Sequence, residues 1–347
     1  MKNSKIEMPE IENILIIKLR GIGDVVLSTI IFDSLVDSFP NAKIDFLVDK
    51  PGSFGLTSLD FLNDVIVFEK KSVLKRVAQY FTIRKRKYDL VIDLFSNPTT
   101  AQITFLSGAK YRIGFPYKGR KYAYNIFGPS ERDRFHSADL HLQLLKSAGI
   151  EARGDNLYFG LDEHSVNFAK DFFSKHFSAG KLVVGISPSG GWSSKKCDPV
   201  KFAEIADAVV TQFNANILIV WGPEDKQDAE EISRLMKSPP ILAPATSIVE
   251  MAALIKECDV LIANDSGPMH ISTALGTPTL SLHGPTDPKL QGPYGKKHEA
   301  VLHDELDCII CHRLECPRNH ECFLELPHEK AMNKFELLLR KNDLISK

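Results

Sequence analysis

Four short polar turns in this 347-residue sequence carry the residue types that hold phosphate and move protons. They are "RGIGD" (20–24), "SPSGGWSSKK" (187–196), "NDSGPMH" (264–270) and "HGPTDP" (283–288). In the second turn, Ser189 can donate a hydrogen bond and Gly190 lets a ligand approach the backbone closely. Lys195 or Lys196 can neutralise a diphosphate; the plainer alternative is a solvated Gly/Ser loop. Asp24 closes the first turn. A carboxylate there repels phosphate but suits a group that accepts a proton or hydrogen-bonds a hydroxyl; the alternative is a helix N-cap. "RGIGDVV" is not a dinucleotide fingerprint, because Val26 stands where a third glycine would be needed. Asp265 and Ser266 could cap the helix that follows them, and His270 could be structural. Asp265 with His270 makes only a weak case for a hydrolase, and Ser266 lies outside a G-x-S-x-G elbow.

The segments around these turns explain their positions. "NILIIKL" (13–19) is a continuous apolar run, as expected of a strand buried on both faces. "KIDFLVD" (43–49), "VIVFEK" (65–70), "YDLVIDLF" (88–95) and "YRIGF" (111–115) read as further strands, with helices expected over 25–39 and 72–87. The alternation restarts at "KLVVGISP" (181–188) and continues through "NILIVWG", "ILAPA", "DVLIAND" and "PTLSLHG". Strands alternating with helices imply α/β architecture with parallel sheets, and two such series imply two Rossmann-like domains facing each other across a cleft. The expected division is 1–175, 176–326 and a C-terminal helix over 327–347. In such sheets ligands bind beyond the carboxyl ends of the strands, where helix N-termini attract anions, and all four turns fall there.

Hydrophobic residues make up 44% of the chain and charged residues 25%, with a formal net charge of -1. That balance gives no global field favouring nucleic acid. No apolar run approaches bilayer length, and three Glu precede the first strand, so the expected location is cytoplasmic without a signal peptide. "KKSVLKRVAQYFTIRKRK" (70–87) has eight Lys or Arg and no acid. It reads either as a basic amphipathic helix for an anionic membrane or as a solvated face packed on the sheet. Cys308, Cys311, Cys316 and Cys322 follow C-x2-C-x4-C-x5-C, which suits a structural Zn²⁺ ion; disulfides or free thiols remain alternatives. Placed after the last polar turn, the cluster suggests a local clamp on a loop.

Taken in order, the turns resemble those of glycosyltransferase family 9, the ADP-heptose:lipopolysaccharide heptosyltransferases. "ILIIKLRGIGDVVLSTIIFDSL" is similar to the family's opening strand, turn and helix. "YDLVIDLFSNPTTAQITFLSGAKYRIGF", "PSGGWSSKKCDPVKFAEIA" and "NDSGPMHISTALGTPTLSLHGPTDP" are similar to later family stretches, so the resemblance spans nearly the whole chain. It implies the GT-B fold, with the acceptor on the first domain and the nucleotide-sugar on the second. It implies Asp24 as general base and Lys195 as the phosphate-binding lysine. Ser266, Gly267 and His270 would hold the diphosphate beside Asp265, Glu224 would contact the ribose, and Thr286 and Asp287 would line the donor pocket. Arg20, Arg120 and His136 would face the acceptor. One departure is Cys197, where the family has Trp.

The expected reaction is inverting transfer of a heptose or related sugar to a lipopolysaccharide-core or related glycan. No cofactor is needed for catalysis, and the inner-membrane surface is an expected peripheral partner. The competing readings are a nucleotide-sugar epimerase of the same fold and a non-catalytic nucleotide-sugar-binding protein.

Overall fold

The apolar runs become the inner strands of two parallel sheets. The computed structural model describes residues 11–345, so residues 1–10, on which part of the signal-peptide argument fell, lie outside it. The chain divides into two compact units, 1–160 and 161–347. The division falls before the helix Glu163–His176, rather than after 175, because this helix packs against Ile248–Glu257 of the second unit. Nor is the last helix, His328–Lys341, a separate element. Its Phe335, Leu338 and Leu339 are buried in the second unit's core, where Phe335 meets Phe213 edge to face.

In the first unit the strands are β1 (Asn13–Lys18), β2 (Lys43–Val48), β3 (Asp64–Val67), β4 (Leu90–Asp93), β5 (Tyr111–Gly114) and β6 (Ile126–Phe127). They lie in the order β3-β2-β1-β4-β5-β6, all parallel. Ile14 to Ile17 of β1 are fully buried, as a central strand covered on both faces requires. The second unit repeats the plan with β7 (Val183–Ser187), β8 (Asn216–Ile219), β9 (Ile241–Leu242), β10 (Val260–Asn264), β11 (Thr279–His283) and β12 (Glu299–Leu302). Their order is β12-β11-β10-β7-β8-β9, again all parallel. The edge strands β6 and β12 have no clear sequence signature, since β6 is two residues long and β12 is flanked by polar sequence.

The first long helix is broken. Ile22–Ser28 gives way to a 3₁₀ turn, Thr29–Ile31, before the helix Phe32–Ser38. The hydroxyls of Ser28 and Thr29 donate to the carbonyls of Val25 and Val26, each at 2.6 Å, and such back-bonding competes with the helical ladder.

Strand order reverses between β1 and β4, and between β7 and β10, so the loops leaving these strands diverge and open a crevice. The turn after β4 is organised by Asp93, which is fully buried. Its Oδ1 accepts from the backbone N–H of Phe95 at 3.0 Å and of Ser96 at 2.7 Å, and its Oδ2 accepts from Tyr124 at 2.7 Å. Burial pushes the Asp93 carboxyl above the usual carboxylate range, and these hydrogen bonds oppose the rise. Ser96 holds a left-handed backbone with φ 53, uncommon for a residue with a side chain. We expect Asp93→Ala to lower unfolding free energy by about 2 kcal/mol or more, because it orphans the buried Ser96 N–H and Tyr124 hydroxyl. Asp93→Asn keeps an acceptor and should cost less; denaturant titration of both variants checks the order.

Candidate active site

In the first unit, a cluster of candidate residues grows from the carboxyl end of β1. Lys18 is the last residue of that strand, and its side chain is 3% exposed. Its Nζ lies 3.6 Å from Asp24 Oδ1, donates to the Leu94 carbonyl at 3.4 Å and approaches His141 Nε2 at 3.3 Å. His141 Nδ1 lies 3.4 Å from the Leu27 carbonyl, so a ring protonated at Nδ1 serves both neighbours. Burial lowers the Lys18 ammonium, with Asp24 opposing, and burial together with Lys18 drives His141 well below its ordinary value. The imidazole is therefore neutral at physiological pH.

Asp24 does not cap its helix. The N-cap position is Gly21, and Asp24 sits in the first turn, its side chain 41% exposed between Lys18 and Arg20, each at 3.6 Å. The carboxylate is thus held by two cations yet open to solvent. Aromatic rings carry the nearby arginines. Arg20 lies over Phe95 at 5.4 Å, Arg120 over Tyr117 at 5.3 Å, and Arg132 over both Phe115 and Tyr117. Arg120 also donates to the Ser96 carbonyl at 3.0 Å, so the Asp93 turn fixes it. His136 serves a structural role as the N-cap of the helix Ser137–Ser147, its Nδ1 accepting from Ala138 N–H at 3.1 Å.

In the second unit, a cluster is built at the ends of β7, β10 and β11. Asn264 closes β10 and locks the loop after β7, accepting from Cys197 N–H at 3.2 Å and donating to the Pro188 carbonyl at 2.9 Å. That loop delivers Lys195, whose Nζ lies 2.7 Å from Asp265 Oδ2 and 4.4 Å from the Trp192 ring centre. Thr286 donates to the same Asp265 oxygen at 2.6 Å, and its hydroxyl lies 3.4 Å from His283 Nδ1. A chain of polar contacts thus runs from His283 through Thr286 and Asp265 to Lys195. Burial alone would raise the Asp265 carboxyl, but His283, Lys195 and His270 outweigh it and hold it below the usual range. Burial in turn lowers His283, with Asp265 opposing.

Asp265 therefore does not cap the following helix, and neither does the Ser266 side chain, whose hydroxyl turns back to the Asn264 carbonyl at 3.3 Å. Gly267 opens that helix and His270 lies buried within it. Ser189 donates to Asp225 at 2.7 Å, and a side chain at Gly190 would strike Lys196. Lys196 is engaged by Asp225 and Asp228, each at 2.9 Å, so the two lysines have separate partners. Glu224 is exposed and makes no ion pair among the described residues, while its neighbour Asp225 is buried in the network. Asp287 caps the short helix Pro288–Gln291, accepting from Lys289 N–H at 2.9 Å.

The cysteine segment does clamp loops. Leu314 accepts from Ser194 N–H at 3.2 Å and from the Ser193 hydroxyl at 3.1 Å. Ile310 and His312 donate to the Gly284 and Pro285 carbonyls at 3.0 and 2.8 Å. The segment thereby ties the Lys195 loop to the Thr286 turn. Burial and the three other clustered thiols push Cys322 up to about 12. All four cysteines are free thiols, and among the described residues no three His, Cys, Asp or Glu side chains are grouped as metal ligands. A Zn²⁺ ion would require the thiols to converge beyond this placement.

Sequence patterns alone do not single out Lys18, His141, Arg132, Asp225 and His283. A lysine ending an apolar strand is a usable signal for Lys18, as is a histidine ending a buried strand for His283. Nothing local marks His141 or Arg132, which reach the site from distant segments.

Residues 76–321 match the sequence model of glycosyltransferase family 9 (heptosyltransferase). The chain is 26% identical to lipooligosaccharide heptosyltransferase 2 of Campylobacter jejuni, over 93% of this chain and 97% of that protein. It is 27% identical to lipopolysaccharide heptosyltransferase 3 of Escherichia coli, over 78% and 82%. Among solved structures, a family 9 glycosyltransferase from Veillonella parvula superposes with a TM-score of 0.84 at 22% identity, covering 97% of this chain and 99% of that one. The E. coli ADP-heptose heptosyltransferase II superposes with a TM-score of 0.74 at 17% identity, covering 95% and 99%. The fold is GT-B.

Asp265→Asn would leave the Lys195 ammonium buried without a countercharge, and we expect it to destabilise the second unit by about 3 kcal/mol. The wild-type contribution of Asp265 is complete above the ordinary Asp value of about 3.9 and is lost as pH falls through the lowered folded value. Denaturant unfolding across acidic pH should show that loss in the wild type and not in the variant.

Proposed function

The chain belongs to glycosyltransferase family 9, and from that premise we propose that it transfers a heptose from ADP-heptose to a lipopolysaccharide-core or related glycan acceptor with inversion. The carrying observation is Asp24, a solvent-open carboxylate in the first helical turn after the central strand β1, flanked by a buried lysine and an arginine.

In this reading the acceptor hydroxyl oxygen attacks the anomeric carbon. Its proton passes to an Asp24 oxygen, and the bond to the diphosphate breaks with its electron pair leaving on the nucleotide. Lys18 and Arg20, each 3.6 Å from the carboxylate, orient it to accept that proton. Arg20 and Arg120, held on aromatic faces rather than by acids alone, are placed to meet anionic groups of the acceptor, with His136 shaping the same region. Charge growing on the diphosphate is met by Lys195, whose ammonium has three donors and gives one to Asp265. Thr286 and His283 keep Asp265 in register. The backbone of Ser266 and Gly267, with His270, contributes the positive end of a nine-residue helix. Ser189, Gly190, Glu224 and Asp287 complete the donor side of the proposal. The chemistry runs on side chains and helix dipoles.

The same reading places the protein in the cytoplasm, peripheral to the inner membrane. It is supported by the chemistry of a lipid-linked acceptor; among the described residues no helix is long and apolar enough to cross a membrane. A structural Zn²⁺ ion on Cys308, Cys311, Cys316 and Cys322 belongs to the proposal on the strength of the sequence spacing alone, and it requires the thiols to converge from their present placement. About one Zn per chain is expected in protein purified without metal resin, and its absence would return the segment to a thiol-lined clamp.

Release of ADP from ADP-heptose should require the acceptor, and Asp24→Ala should lower turnover by about 10²-fold or more with donor affinity retained. Loss of donor affinity with turnover intact would remove Asp24 from the base role. Donor binding without acceptor-dependent release would favour a binding protein.

A further inference from the structure

The helix Val73–Lys85 buries very little of itself. Ile83 is its one buried residue, with Tyr80 packed beside it against the core of the first unit. Leu74, Val77 and Phe81 are 84, 44 and 63% exposed, and their spacing of three and four residues sets them on one outward stripe. Tyr80 turns inward, and Leu74, Val77 and Phe81 face solvent.

This stripe continues beyond the helix. Arg84 donates to the Leu106 carbonyl at 3.0 Å, joining it to the end of the helix Pro98–Ser107, where Phe105 and Leu106 are also exposed. The Phe105 ring meets exposed Tyr122 edge to face at 5.6 Å, and Lys118 and Lys121 line a shallow depression with Tyr122. Of the eight cations in 70–87, Lys70 and Arg86 are paired with Asp49, Asp45 and Asp64. Lys71, Lys75, Arg76, Lys85 and Lys87 form no ion pair among the described residues.

Single exposed apolar residues need no explanation, but a continuous series rimmed by one sign of charge marks a contact surface. We infer that this face of the first unit docks on a bilayer of anionic phospholipid. The apolar side chains enter the headgroup boundary, and the lysines and arginines meet lipid phosphates. A second copy of the chain fits poorly, because a two-fold interface would oppose this basic patch to itself. The inference extends the transferase reading by naming the surface on which a lipid-linked acceptor is met, but its test needs no sugar.

Flotation of the full chain with phosphatidylcholine vesicles, with and without phosphatidylglycerol, tests it. Binding is expected only with phosphatidylglycerol, and it should fall with added salt. Reversing two charges in Lys71→Glu/Lys75→Glu should weaken binding by about 25-fold or more, at about fivefold per charge removed. Leu74→Ser/Phe81→Ser should weaken it by about tenfold or more, while leaving the fold and ADP release with a water-soluble core acceptor unchanged. Wild-type protein that stays unbound on anionic vesicles would overturn the inference. So would variants that float as well as wild type, or a dimer abolished by the serine pair. Vesicle binding without ADP release would overturn the transferase reading and leave the docking face standing; ADP release without vesicle binding would do the reverse.

Discussion

Every strand in both sheets runs parallel to its neighbours, and the placement of each candidate functional residue depends on that constraint. A parallel ladder collects the carboxyl ends of all its strands along one edge, where the following helices present unpaired N–H groups. Asp24, the Asp93 turn, the Lys195 loop, Asp265 and Thr286 each follow a strand and so fall on such an edge within their own unit. The helices covering both faces leave little room for polar residues elsewhere in the sheets, so the polar residues that remain concentrate where the chain leaves them.

The two units solve the same electrostatic problem differently. Each buries a lysine at the edge of its sheet, and a buried ammonium requires a partner. In the second unit Lys195 is matched by an equally buried carboxylate, itself braced by Thr286, and the result is a nearly closed pair. In the first unit Lys18 is buried, but its carboxylate partner Asp24 remains open to solvent, and the other contacts are a carbonyl and a neutral imidazole. An open carboxylate tethered to a buried cation keeps a free face for a reacting group. A closed pair serves to fix the loop that carries it. The same contrast separates Asp24, the proposed proton acceptor, from Asp265, which is held against the Lys195 loop.

The cysteine segment shows how a loop site gains rigidity without regular structure. Its backbone hydrogen-bonds to the 193–194 and 284–285 turns at once, so two loops from different strands are held by one strap. A strap of this kind limits the conformations of the Lys195 loop, which a glycine pair and three serines would otherwise leave loose.

The sequence by itself determined the α/β class, the restart of the alternation and the positions of the four turns. Those depend on local properties: apolar runs of strand length, glycines and capping residues, and helical spacing. Asp24 and the Lys195–Lys196 pair stood out as candidates because each lies within a turn whose chemistry is local. Tertiary structure alone decided the partners. Lys18 meets His141 across more than a hundred residues, and Asp265 turns away from its own helix to Lys195, because a buried charge is answered by whatever the fold brings near it. The same cause hid the edge strands and the unit boundary. Two-residue β6 exists only because β5 offers it a ladder, and the helix Glu163–His176 joins the second unit through its packing against Ile248–Glu257. Sequence periodicity reports which face of an element is apolar; which neighbour covers that face is a property of the assembled fold.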